Sequence, residues 1–146
     1  MKLSEHFDLS EFTASQTADR LNLDNTPPQL VIANLMVLAE GLERVRSLLG
    51  NRPLTITSGY RSPSVNAAVG SKPSSQHLLG QAADFICPRY GSPADIVAAI
   101  VDSDIEYDQV ISEFASKGGG WVHISFSERN RRQALIIDSK GTRNYP

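Results

Sequence analysis

The chain of 146 residues contains one cysteine, three histidines and one tryptophan. Being alone, Cys87 excludes an internal disulfide and a thiolate zinc cluster, so any zinc here must be held mainly by nitrogen and oxygen. No apolar run approaches the ~18 residues of a membrane span. Positive charge is not in excess: 14 Lys and Arg stand against 16 Asp and Glu, for a formal charge of −2. That balance argues against a nucleic-acid binder driven by phosphate contacts. The one cationic cluster, ERNRRQ (Glu128 to Gln133), contains an acid and reads as a solvated turn. The opening MKLSEHFDLSEFTASQ has no apolar core of the kind a secretory signal needs, so the expected place of synthesis is the cytoplasm. Ser58, Ser75 and Cys87 have no base beside them in sequence, which disfavours a serine or cysteine nucleophile.

What is present suffices for one domain. Hydrophobic residues make up 40% and charged residues 21%, a globular balance. Residues 1–146 are read as a single domain, and 1–25 as an irregular arm with Phe7, Leu9 and Phe12 packed down. Val31, Leu35, Leu38, Leu42, Val45 and Leu49 recur at alternating spacings of four and three, which predicts one long core helix ended by Gly50. Thr26-Pro27-Pro28-Gln29 predicts its capped start. LTITS (54–58) predicts a strand, 61–75 a loop with one turn at Val65–Val69, 82–87 a second strand, and Ser92-Pro93 the cap of a second helix. YDQVISEF and WVHISF are expected to form a hairpin joined by ASKGGG, and QALIID a last strand. Mixed helices and strands with a final antiparallel run give an α+β class: a small antiparallel sheet packed against a long core helix.

Only three histidines can hold a metal, and His6 lies in a polar arm with no evident role. His77 and Asp84 lie seven residues apart in SSQHLLGQAADF, where Gly80 makes a loop feeding a strand. In the hairpin, Val110 and Phe114 with Val122, Ile124 and Phe126 are expected on the core face. Gln109, Ile111 and Glu113 then share the other face with Trp121, His123 and Ser125. A loop centred on Gly118 sets Glu113 directly across from His123. A catalytic zinc takes three protein ligands, a free position and a nearby carboxylate. His77, Asp84 and His123 meet the first need; Glu113, with Asp108 as the alternative, meets the last.

Ser75-Gln-His77-Leu-Leu-Gly80-Gln-Ala82-Ala-Asp84 matches the S-x-H-x-x-G-x-A-x-D signature of the zinc D-alanyl-D-alanine carboxypeptidase family, whose fold is shared with hedgehog domains. SGYRSP and WVHISF stand where that family has an arginine-bearing strand end and its second zinc histidine. The FDLSEF arm and YDQVISEF resemble the branch found in phage and prophage lysis enzymes. The resemblance covers essentially the whole chain. It implies a Zn2+-dependent metallopeptidase acting on peptidoglycan peptides next to D-amino acids, as a carboxypeptidase or an endopeptidase. It also implies zinc ligands at His77, Asp84 and His123, and at Arg61 an arginine that steadies a substrate oxygen. Ser75, Tyr60 and Trp121 are expected to meet the peptide. One common family pattern has a catalytic glutamate three residues before the second histidine; that position is Gly120, so the base is expected at Glu113. Such an enzyme would be stored in the cytoplasm as a monomer and act on the cell wall after release. A non-catalytic zinc module of the same fold, binding cell wall or built into a phage particle, is the alternative.

Overall fold

The stripe of leucines and valines forms the helix its spacing demands. In the computed structural model, which describes residues 1–115 and 119–146, α3 runs Gln29–Leu48. All six stripe residues, Val31 to Leu49, are buried, each worth on the order of 1.5–3 kcal/mol. Beyond it, Asn51 N–H reaches back to the Arg46 carbonyl at 2.9 Å, closing the end at Gly50. The start differs from expectation. Pro28, not Thr26, is the cap residue, and no side chain caps it. A residue before proline is driven out of the helical region, so the helix cannot begin until Pro28 is passed. Thr26 N–H is instead bonded by the Asp24 carboxylate at 2.9 Å.

Two short helices, α1 (Leu9–Thr13) and α2 (Gln16–Leu21), make up the arm. Phe7 and Phe12 are buried edge to face at 5.9 Å, and Leu9 packs beside them. His6 does have partners: Glu43 of α3 meets its Nδ1 at 2.7 Å and its backbone N–H at 2.7 Å, and takes a bond from Ser4 Oγ at 2.6 Å. The arm is thereby tied to the long helix.

Six strands follow the order β1-β2-β4-β3-β5-β6. They are β1 (Thr55–Ser58), β2 (Ala82–Ile86), β3 (Gln109–Glu113), β4 (Trp121–Ser125), β5 (Gln133–Asp138) and β6 (Gly141–Asn144). Neighbouring pairs are antiparallel except β3 and β5, which run parallel, so the α+β class holds while the last strand does not continue an antiparallel run. β6 went unread because Gly141-Thr-Arg-Asn has no apolar alternation and is exposed throughout. The expected turn near Val65 is a full short helix, α4 (Pro63–Ala68), capped by Ser62. Helix α5 (Pro93–Val101) carries a complete capping box between Ser92 and Asp95.

One face of the sheet is core. Ala83, Phe85, Val110, Val122 and Ile124 join the α3 stripe and Ile96, Val97 and Ile100 of α5 in one apolar cluster. The alternate residues point the other way. The hairpin register is shifted by two from expectation: His123 faces Ile111, and Glu113 faces Trp121. The expected loop centre, Gly118, lies outside the described residues. Positive φ at Phe114 (58°) ends β3 at Glu113, and Gly120 (81°) turns the chain just before β4. Phe114 consequently leaves the core face and lies against the Trp121 ring, centroids 5.5 Å apart.

Asp108, fully buried just before β3, joins three segments. It accepts bonds from Arg131 Nε at 2.7 Å, from an Arg131 terminal nitrogen at 3.1 Å and from Gln76 Nε2 at 2.8 Å. Burial pushes its carboxyl up, but the Arg131 and Gln76 bonds outweigh this and hold it well below the usual range. A depressed folded pKa adds stability that is full above the ordinary aspartate value and lost as pH falls below it. Asp108→Asn should therefore cost about 3 kcal/mol near neutral pH, the low end for a broken buried pair because Arg131 is 32% exposed. Urea titrations of both proteins near pH 7 and near pH 3 test this. The gap should shrink at the lower pH, and a gap that is constant contradicts the assignment.

Candidate metal centre

His77 lies on a short 3₁₀ helix, Gln76–Leu79, capped at its start by Ser75, whose hydroxyl accepts from His77 N–H at 3.3 Å. Its end is Gly80, at φ +70°. A side chain there would meet Val31 Cγ1 at 2.8 Å and the Val31 carbonyl at 3.0 Å, so only glycine lets this turn sit against α3. The His77 ring is buried, with Nδ1 2.7 Å from the Gly59 carbonyl oxygen. A carbonyl only accepts, so Nδ1 carries the proton and Nε2 presents its lone pair.

That lone pair faces Asp84. Asp84 on β2 and His123 on β4 are directly opposed residues of an antiparallel pair, which sets their Cβ atoms about 4.5–5.5 Å apart. Alternation forces both onto the non-core face, since Ala83, Phe85, Val122 and Ile124 occupy the other. Asp84 Oδ1 stands 3.0 Å from His123 Nδ1 and 3.4 Å from His77 Nε2. The imidazole rings approach edge to face at 5.2 Å. Burial pushes the Asp84 carboxyl up, yet a hydrogen bond donated by His123 Nδ1 and the nearness of both rings hold it well below the usual range.

One donor atom from each of His77, Asp84 and His123 lies within 4.8 Å of the others. A cation would replace the proton on His123 Nδ1, and two nitrogen lone pairs and a carboxylate oxygen would then converge on it. Two imidazoles and one carboxylate make a three-ligand set that suits zinc and leaves a position free. The donor set therefore fits a divalent metal.

The centre opens into a cleft of about 710 Å³ lined also by Arg61, Glu113 and Trp121. An Arg61 terminal nitrogen stands 3.7 Å from Asp84 Oδ2. Glu113 accepts a hydrogen bond from the Trp121 indole N–H. Burial pushes the Glu113 carboxyl up and Asp84 adds to this, outweighing His123, Trp121 and Arg61, which favour the ionised form. At Gly120, three residues before His123, φ is +81° and a built Cβ would overlap the Glu113 carbonyl oxygen. That position cannot carry a carboxylate in this conformation, and Glu113 is the acid the cleft has instead.

Two expected residues are not brought to the cleft. Asp108 is locked by Arg131 and Gln76 and is no base. Tyr60 is 4% exposed and belongs to the core cluster, its backbone N–H bonded to the Phe12 carbonyl. Ser75 lines the cleft, though its hydroxyl oxygen is engaged as a cap. Lys72, Arg129, Leu135 and Ile137 also line it and were not foreseen. Leu135 and Ile137 become legible once QALIID is placed beside β3, because alternation puts both on the Glu113 side. Lys72 and Arg129 carried no signal of their own.

Over 53 residues the chain is 38% identical to the zinc D-Ala-D-Ala carboxypeptidase of Streptomyces albus G. That match covers 36% of this chain and 21% of the relative, so it spans about a fifth of that protein's length. The model of the Peptidase M15 family matches residues 5–125, from the arm through β4 and all three converging side chains, and the chain accordingly belongs to the Peptidase M15 family.

Proposed function

We propose that the protein is a zinc-dependent peptidase that hydrolyses peptidoglycan peptide bonds next to D-amino acids. The observation that carries this reading is the convergence of His77, Asp84 and His123 in a cleft that also holds Glu113 and Arg61. Family membership and the named relative support the metal and the reaction class. A zinc ion held by the three ligands would act as Lewis acid on the scissile carbonyl and lower the pKa of the attacking water. Glu113 takes the proton as the water oxygen bonds to the carbonyl carbon, and delivers it to the amine nitrogen as the C–N bond breaks. Trp121 holds the Glu113 carboxylate in place for both transfers. Arg61, fixed in charge, donates to the oxygen on which negative charge develops. Trp121 and Ser75 border the peptide's path.

We further propose that the enzyme is stored in the cytoplasm as a monomer and acts on the cell wall after release, as in phage or prophage lysis. The support is the likeness of FDLSEF and YDQVISEF to that branch. Residues 1–146 are taken as its single peptidase domain.

Purified sacculi digested with the zinc-loaded protein should yield new amino termini that a chelator abolishes, with muropeptide mass spectra giving the bond. Intact muropeptides alongside full zinc occupancy would instead favour a non-catalytic module. Glu113→Gln should retain zinc by elemental analysis and lose on the order of 10²–10⁴-fold in kcat. Full activity in that variant removes the base assignment.

A base works ionised, and the Glu113 pKa is raised. In the metal-free protein its carboxyl, followed by infrared spectroscopy, should thus give a titration limb above the ordinary glutamate range, and bound zinc should pull that limb down. Trp121→Phe removes a bond to the ionised form and should move that limb to still higher pH. A limb that stays fixed would assign it to another group.

A further inference from the structure

The chain bears a formal charge of −2, yet the cleft is cationic. Arg61, Lys72, Arg129 and Arg131 line it against two carboxylates, Asp84 and Glu113. Arg131 is committed to Asp108, and Arg61 lies close to Asp84. Lys72 and Arg129 remain: among the described residues no carboxylate stands within ion-pair distance of either head group. Arg129 also borders a neighbouring groove in which Glu106 and Glu128 lie, and it pairs with neither.

Both residues stand on loops whose backbones are fixed. Buried Asn66 donates from Nδ2 to the carbonyls of Lys72 at 3.0 Å and Ser71 at 3.4 Å. Ser75 N–H bonds the same Lys72 carbonyl at 3.0 Å. Arg129 follows Ser127, whose hydroxyl accepts its N–H at 3.3 Å, and the turn is held beyond by Arg131 N–H on Asp108. The two loops are tied together through Gln76, Asp108 and Arg131. Both side chains are exposed, so two unpaired cations on backbone-braced loops face the cleft where an anion can reach them.

We propose that Lys72 and Arg129 determine specificity for an acidic peptide, one bearing free internal carboxylates besides its terminal one. This rests on the peptidase reading and names the substrate class of the same cleft. Neutral peptides leave both cations without partners; acidic ones gain two charge-assisted contacts and an electrostatically favoured approach.

The test uses the zinc-loaded full chain and two synthetic peptides ending in D-Ala-D-Ala, identical except that internal carboxylates are free in one and amidated in the other. The wild type should prefer the free acid by roughly tenfold in kcat/KM, mostly through KM, with the preference falling at high salt. In the Lys72→Ala, Arg129→Ala double variant the ratio should drop to about one. The Lys72→Glu, Arg129→Glu variant should reverse it. Equal turnover of both peptides by the wild type, or an unchanged ratio in the variants, overturns the proposal. Calorimetric binding of both peptides separates it from the reading beneath. Preferential binding of the acid with neither peptide cleaved and no new amino termini in sacculi would refute the peptidase and uphold the anion reader; equal binding with cleavage of both would do the reverse.

Discussion

A single carboxylate oxygen, Asp84 Oδ1, stands between two imidazole nitrogens, and the arrangement around it organises the rest of the cleft. Burial alone would favour a neutral acid at this depth, whereas the His123 ring, donating to it, favours the charged one and prevails. Burial raises the proton affinity of Glu113 nearby, and an ionised carboxylate at that point adds to it. The same carboxylate also holds the Arg61 guanidinium within ion-pair reach. The two acids are therefore pushed in opposite directions by one arrangement, which assigns them different tasks: Asp84 stays an anion for a cation, and Glu113 is placed to exchange a proton.

Each donor is held by structure outside the triad. His77 is oriented by the Gly59 carbonyl, which fixes the tautomer, and its 3₁₀ turn is seated on α3 through Gly80. Its neighbour Gln76 is bonded to Asp108, and Asp108 to Arg131, so the loop bearing one ligand is anchored to the turn leading into β5. Such outer contacts decide ring direction as much as the ligands themselves do. Placing the base on β3 next to a ligand strand likewise substitutes for the acid that Gly120 cannot carry, since the strand spacing brings Glu113 beside Trp121 and into the same cleft as His123.

Much of this arrangement is written in periodicity. The α3 stripe, the β2 and β4 alternations and the Ser92 cap all follow from local spacing, and the structure adopts each of them. Alternation in AADFI and WVHIS also contains the Asp84–His123 pairing, because putting Ala83, Phe85, Val122 and Ile124 in the core leaves both polar residues on one face. What local spacing did not contain were choices made between segments. The hairpin register depended on where the chain turned, and positive φ at Phe114 and Gly120 moved Glu113 opposite Trp121. Asp108 read as a spare base because its partner, Arg131, lies in a stretch that looked like a solvated turn. Tyr60 beside Arg61 looked like a binding residue until the arm covered it.

Folding and site assembly are consequently one event on the central strands. A strand slipped by one residue exchanges its faces. For β2 that would drive Asp84 into the apolar layer under α3 and α5, and for β4 it would do the same to His123. An ionised carboxylate without partners costs several kcal/mol in such a place, and Phe85 and Ile124 would at the same time be lifted out of the core, each forfeiting about 2–3 kcal/mol. Those penalties are a large share of the 5–15 kcal/mol that holds a domain together. The apolar residues on one face thus enforce the geometry of the polar residues on the other, and two of the three converging donors are aligned before any cation arrives. Only His77, carried on a turn, needs separate placement, and Gly80 and the Gly59 carbonyl supply it.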